Sequence, residues 1–375
     1  MNVSFLEPVF AAAGPYATVC ADVTHTTENA DAELDLRVRA IAEDLTGQGA
    51  PEPVVEAVRG RLLEGNDGGR AGTVRGRALV VAADGSVVLD EVLAAAPGQQ
   101  LVAWSPQPDL VPVLRHRAAR VPHIVVIADR VGADLVVVGD SGEPDETQVE
   151  GDSFHMRKVK VGGWAHNTYM HTAENQWEEN LGRVADELDR LVRRAPVDFI
   201  LVAGDVRARQ FLSDKAAPAW AGTVVSMDEG GRAAGADREP VDARAAELVA
   251  EHEARLIAET AEKVQAAGAH GLSVTGTDRV VEAMRKGQVE TLVLAEDPDE
   301  EELLVGGSPL ELGVRQQDMD ALGARGTAVP ADRALVHAAV ATAADVVVLP
   351  RSAMPDQVPV AAVLRYTDDS TSSGK

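Results

Sequence analysis

Two apolar runs separated by a tight turn constrain this chain more than any other feature. Residues 123–128 (His-Ile-Val-Val-Ile-Ala) run into Asp129-Arg130, and residues 133–138 (Ala-Asp-Leu-Val-Val-Val) run into Gly139-Asp140. Only Asp129-Arg130-Val131-Gly132 separates them, so they are expected to pair as an antiparallel hairpin. Further on, Trp177, Leu181, Val184, Leu188 and Leu191 recur at spacings of four and three, the inward stripe of a helix expected to begin at Glu174. Residues 199–203 predict a buried strand, 207–215 a helix and 222–227 another strand. A hairpin followed by β–α–β describes a layered α/β sheet.

The flanking segments differ in pattern. Before the hairpin, a strand at 16–23 leads to a helix from about residue 28, with Leu34, Val38, Ile41 and Leu45 on one face. Gly47-Gln48-Gly49-Ala50-Pro51 stops it and a second helix spans 52–63. Strands at 78–82 and 87–92 are joined by Ala83-Asp84-Gly85-Ser86, a hairpin signal, and the whole reads as α+β. After a polar link at 228–239, a helix over 240–267 has proline at its start and Gly268 just past its end. Then come a helix at 278–286, a strand at 291–295, a helix at 330–344, and strands at 346–349 and 360–365. With 375 residues the chain holds two or three domains. The expected divisions are 1–121 (α+β), 122–239, 240–366 (α/β) and a disordered tail, 367–375.

Aromatic residues make up only 3%, so the core is aliphatic. The single cysteine, Cys20, permits no intramolecular disulfide and reads as a small buried thiol. The first residues lack the pattern of a secretory leader, and no apolar run nears the ~20 residues that span a bilayer. A cytoplasmic protein without membrane partners, and a monomer, is the expectation.

Sixty acidic residues against 35 basic ones give a net charge of −25, which opposes indiscriminate nucleic-acid binding. One stretch departs from this. Between Asp152 and Glu174 there is no carboxylate, but there are Arg157, Lys158, Lys160, Gly162, Gly163, Trp164, His166, Asn167, Tyr169 and His171. Glycine backbone approaches a phosphate closely, the rings stack on bases, and three cations match about three phosphates. These ten residues are the candidate nucleic-acid site. The plainer reading is a strand at 154–161 turning through the two glycines into a helix, with its charges solvated; the residues alone leave both open.

Other constellations are weaker. Asp129, Asp140 and Asp205 each follow a predicted strand and together could hold two Mg²⁺ ions for phosphodiester cleavage; as plainly, they are turn and cap residues. No His-Glu-x-x-His, phosphate-cradling Gly-rich loop or Gly-x-Ser-x-Gly occurs. No metal, cofactor or catalytic residue is assigned, and the acidic run 296–302 reads as a solvated loop.

The Gly-Gly turn, the long helix, the β–α–β unit and the phrase Val281-Glu282-Ala283-Met284-Arg285-Lys286-Gly287-Gln288-Val289-Glu290-Thr291-Leu292-Val293-Leu294 together carry a resemblance. The chain resembles the archaeal and eukaryotic class I peptide-release-factor family, and more closely its actinobacterial offshoots, near the ribosome hibernation factors of the Balon type. The resemblance covers about 120–365, with the first domain matched by position only. It implies a ribonuclease-H-like middle domain, and a third domain of the kink-turn-binding ribosomal-protein-like α/β/α kind. Where the family carries a catalytic Gly-Gly-Gln, this chain has Gly162-Gly163-Trp164. It also lacks the Asn-Ile-Lys-Ser and Tyr-x-Cys motifs that read stop codons. The implied function is a non-enzymatic ribosome-binding factor that occupies the A site as a hibernation or stress factor, contacts ribosomal RNA, and is brought by elongation factor Tu or another translational GTPase. A peptidyl-tRNA hydrolase or ribosome-rescue factor, and a metal-dependent nuclease, are the alternatives.

Overall fold

The structure, a computed structural model, describes the chain outside residues 25–28, 65–75, 94–95, 140–143, 151–163, 233–235, 298 and 369–375; at 144 and 164–175 it describes the backbone. The first segment holds α1 (Glu7–Ala11), β1 (Tyr16–Asp22), α2 (Ala30–Gly47), α3 (Glu52–Leu63), β2 (Gly76–Ala82), β3 (Val87–Leu93), β4 (Leu101–Ser105) and α4 (Val111–Ala118). The middle one holds β5 (His123–Ala128), β6 (Gly132–Val138), β7 (Pro144–Glu150), α5 (Trp164–Arg194), β8 (Phe199–Gly204), α6 (Val206–Lys215) and β9 (Val224–Ser226), followed by α7 (Glu239–Ala269). The last holds β10 (Ser273–Thr275), α8 (Thr277–Arg285), β11 (Val289–Ala295), β12 (Glu302–Val305), β13 (Leu312–Gly313), α9 (Gln316–Leu322), β14 (Thr327–Pro330), α10 (Ala331–Ala341), β15 (Asp345–Leu349) and β16 (Val360–Leu364).

These elements form two compact units, Met1–Ala119 with Leu256–Lys375, and Arg120–Arg255. In the first unit the antiparallel sheet β3-β2-β1-β4 has two apolar faces, because alternate residues of β1 point opposite ways. Ala17, Val19 and Ala21 meet the stripe Leu34, Val38, Ile41 and Leu45 of α2 and Val54, Val58 and Leu62 of α3. Tyr16 and Cys20 instead join a core shared with the last segment, including Leu114, Leu292, Leu335 and Val346. The sheet β10-β16-β11-β15 carries that core on one face, while Val264 of α7 meets Val293, Leu349 and Ala361 on the other. This is the α/β/α layering expected for the last segment. A small sheet, β13-β12-β14, completes it. Half-buried Asp109 contacts Arg333 at 3.3 Å and Gln107 meets His337, so polar pairs as well as apolar ones join first and last segments.

The second unit is one five-stranded sheet, β7-β6-β5-β8-β9. Its first three strands form an antiparallel meander, and β5, β8 and β9 run parallel. Leu181, Val184 and Leu188 of α5 and Leu212 of α6 cover one face; Val241, Ala245 and Leu248 of α7 cover the other. Strand order, the antiparallel second strand and helices on both faces are the ribonuclease-H-like layout. The expected hairpin forms with Ile124 opposite Val137 and Ala128 opposite Ala133.

Three expectations need correction. Helix α5 begins at Trp164, ten residues before Glu174, because the polar stretch ahead of the apolar stripe continues the helix. Gly268 lies inside α7; Gly271, at φ +71°, ends it, and the Leu272 N–H donates to the Ala267 carbonyl. The acidic run 296–302 is not wholly solvated loop: Arg351 binds Asp297 and Asp299, and Glu302 starts β12. The strand expected at 154–161 and residues 369–375 of the expected tail lie outside the described residues.

Candidate nucleic-acid interface

One end of the second unit's sheet gathers the elements that support the candidate stretch. Parallel pairing puts Ala128 beside Gly204, so β5 and β8 finish together, and β7 ends there too because Glu150 is opposite Gly132. Residues 151–163 join Glu150 to Trp164. Helix α5 passes this end: the Asn180 side chain donates to the Arg130 carbonyl at 3.4 Å, and Leu181, Val184 and Leu188 beyond it are buried. Trp164 precedes Trp177, the first described core residue of the helix, by about 20 Å along the axis. No acidic residue lies in the first turn, so the positive end of the helix dipole is left uncompensated by side chains of its own turn.

The local sequence explains the close strand ends. Gly204 has φ +104°, and a Cβ there would sit 2.1 Å from the Ala128 carbonyl oxygen. Through that approach the Asp205 N–H donates to Ala128 at 2.9 Å.

The charges at this end are mostly committed to one another. Asp129 Oδ1 accepts from the Val131 and Gly132 N–H groups at 2.8 and 3.0 Å and from Arg232 at 2.9 Å. Arg232 also binds Asp134 at 3.1 Å and approaches Glu150 at 4.0 Å, and Arg238 holds the other Asp134 oxygen at 3.0 Å. Asp205 caps α6, accepting from the Arg207 and Ala208 N–H groups at 2.9 and 3.3 Å, with Arg130 3.5 Å from its second oxygen. Arg209 is buried between the ends of β8 and β9, donating to the Gly204 carbonyl and the Ser226 hydroxyl and pairing with Asp228.

This arrangement disfavours the two-Mg²⁺ reading. Asp129 and Asp205 do lie at one sheet end, but backbone amides and arginines occupy their oxygens, the turn and cap roles open from sequence. Asp140 lies outside the described residues, among which no His, Cys, Asp and Glu group is placed to hold a metal.

Of the ten candidate residues, Arg157, Lys158, Lys160, Gly162 and Gly163 lie outside the described residues. Trp164, His166, Asn167, Tyr169 and His171 fall in the first turns of α5. Sequence reasoning did not foresee the charge network that Arg209, Arg232 and Arg238 make at this sheet end. A signal was present for Arg232, an arginine inside the Gly- and Ala-rich link, but its partners are far away in sequence.

Comparison with known proteins places the second unit. Residues 122–270 match the family described as bacterial archaeo-eukaryotic release factor family 2. Over this part the chain is similar to that family. It is 28% identical over 355 residues to two Mycobacterium tuberculosis sequences from different strains, both described as uncharacterized proteins, covering 92% of this chain and 92% of theirs. Among solved structures, the archaeal translation termination factor aRF1 is aligned over 97% of this chain and 99% of its own, at 14% identity and TM-score 0.27. Archaeoglobus fulgidus Pelota is aligned over 98% and 94%, at 16% identity and TM-score 0.37. Among the described residues, no helix is long and apolar enough to cross a membrane.

Proposed function

We propose that this release-factor relative is a cytoplasmic ribosome-binding protein that occupies the A site as a hibernation or stress factor and does not hydrolyse peptidyl-tRNA. The observation that carries the reading is the family match over 122–270, which spans the unit bearing Gly162-Gly163-Trp164 at the start of α5. The glutamine of Gly-Gly-Gln offers both a donor and an acceptor to a water; the indole of Trp164 offers a single N–H donor. A tip with that substitution keeps the close-approaching glycine backbone and gains a stacking surface, but loses the group that places the nucleophile.

In this reading the middle domain, 122–239, reaches toward the peptidyl-transferase centre, the first domain, 1–121, lies near the decoding centre, and 240–366 forms the third domain. The cations of 157–160 face ribosomal RNA, and a translational GTPase such as elongation factor Tu accompanies the monomer. The body's charge of −25 opposes indiscriminate binding to RNA, so attraction is limited to local, directed contacts such as the tip.

The test is co-sedimentation with vacant 70S ribosomes, paired with a peptide-release assay on stalled complexes. Binding is expected, reduced when Arg157, Lys158 and Lys160 are changed together to Glu, with release at background. Failure of the wild-type protein to sediment with ribosomes overturns the reading. Peptide release that disappears in Gly163→Val replaces it with the rescue hydrolase.

A further inference from the structure

The sheet end where β7 finishes has an outward surface that the internal charge network touches only through the Arg130–Asp205 contact. Arg130 and Val131 form the turn after β5; Val206 and Arg207 begin α6 after β8. The pairing of Ala128 with Gly204 sets these two turns side by side, and the 3.5 Å contact of Arg130 with Asp205 bridges them.

Val206 is 63% exposed and Val131 38%, an unusual pair of branched apolar residues to leave in water at adjoining turns. The Arg130 side chain is 60% exposed. Arg207 is exposed too, and none of the described carboxylates pairs with it. The acids here are held inward: Asp129 and Asp205 accept backbone N–H bonds, and Asp134 receives Arg232 and Arg238. Glu150 and Asp228 remain exposed, but each faces an arginine, Arg232 and Arg209. The outward guanidinium groups therefore meet little local opposition, on a chain whose overall charge is strongly negative.

We propose that Arg130, Val131, Val206 and Arg207 form a second RNA contact, in which the two guanidinium groups bind phosphates and the two valines lie against ribose and base edges. Guanidinium forks bind phosphate oxygens bidentately, and such contacts fix orientation without reading sequence. The N-terminus of α6 is not itself the anion site, because the Asp205 carboxylate already occupies its first N–H groups. The 3.5 Å separation of Arg130 from Asp205 leaves that guanidinium free to turn toward a phosphate. The position suits the role: strand β7 ends at this same end of the sheet, and Asn180 of α5 bonds to Arg130 there.

This inference rests on the ribosome-binding reading, and one salt series separates the two. Wild-type protein and the Arg130→Gln/Arg207→Gln double variant are titrated onto 70S ribosomes across a range of KCl concentrations. Thermal unfolding confirms that the variant is folded. The expected result is weaker binding by the variant and a log–log salt slope shallower by about two, one for each lost phosphate contact. Val206→Ser with Val131→Ser should weaken binding without changing the slope. Wild-type binding with an unchanged affinity and slope in the arginine variant overturns the second contact and leaves the ribosome reading intact. Weaker binding with an unchanged slope identifies a protein partner at this surface and overturns the RNA assignment. If the wild type does not bind ribosomes, both fall.

Discussion

Arg232 lies 2.9 Å from Asp129 and, through another nitrogen, 3.1 Å from Asp134, so one nearly buried guanidinium ties the link after β9 to the hairpin β5–β6. Its side chain is 10% exposed and that of Asp134 14%. Removing a cation from such a site strands carboxylates that water cannot fully resolvate. Arg232→Ala is expected to destabilise the second unit by about 2–3 kcal/mol, below the cost of breaking a fully buried pair because Asp129 remains partly exposed. Hydrogen exchange of the β6 amides checks this. Protection equal to the wild type would mean that the network is ornamental.

Gly204 makes a stricter demand. Any side chain there meets the Ala128 carbonyl, and φ +104° is strained for an L-residue. Gly204→Ala should cost about 3 kcal/mol or more, separating β5 from β8 and releasing the Asp205 N–H from Ala128. Loss of the α6 cap should follow, since Asp205 is positioned by that approach. Urea unfolding followed by near-ultraviolet circular dichroism is the measurement, with a midpoint well below the wild type as the expected outcome.

What the sequence revealed follows the range of the interactions. Helices α2 and α3 and the hairpin β5–β6 were legible because apolar spacing and turn residues act locally. Strand β7 was missed: Pro-Asp-Glu-Thr-Gln-Val-Glu has no apolar alternation, and as an edge strand it pairs only with β6. The start of α5 was misplaced because the stripe recognised in the sequence begins at Trp177, ahead of which no apolar residues were assigned to a helix face. Nothing local could reveal that Cys20 and Leu335 share a core, or that Arg232 reaches Asp129. The candidate stretch stood out by its lack of acids, whereas Arg130 and Arg207 became conspicuous only when folding put their turns together.

Cys20 sits within the shared core of the first unit, where burial pushes its thiol up to about 12. The thiolate is the reactive form, so at neutral pH this cysteine should be inert toward a disulfide reagent in the native protein and react fully in denaturant. Rapid labelling under native conditions would mean that the two faces of β1 open readily.

His337 supplies a pH test of the contact between the first and last segments. It stacks on Phe10 at 4.2 Å, and its Nδ1 lies 3.2 Å from the Gln107 amide nitrogen. Burial lowers its pKa from the usual 6.5. The unfolded chain therefore binds the proton more readily than the folded one. The stabilising effect of the neutral ring is complete above about pH 6.5 and declines as pH falls toward the lower folded value. His337→Phe keeps an aromatic ring but cannot titrate, so its melting temperature should fall less than that of the wild type between pH 7.5 and 5.5. Parallel curves for the two proteins would rule this histidine out as a source of the acid sensitivity.

Trp164 separates stacking from chemistry at the tip. If the indole stacks on a ribosomal base, Trp164→Ala loses about 1–3 kcal/mol, a drop in ribosome affinity of roughly 5- to 150-fold. The salt slope should not change, since no cation is removed. Trp164→Phe keeps a π-face and should recover part of the loss, which a purely structural role at the helix start does not require. Equal binding by the wild type and the alanine variant would place the contact elsewhere, on the cations of 157–160 or on the arginines at the sheet end.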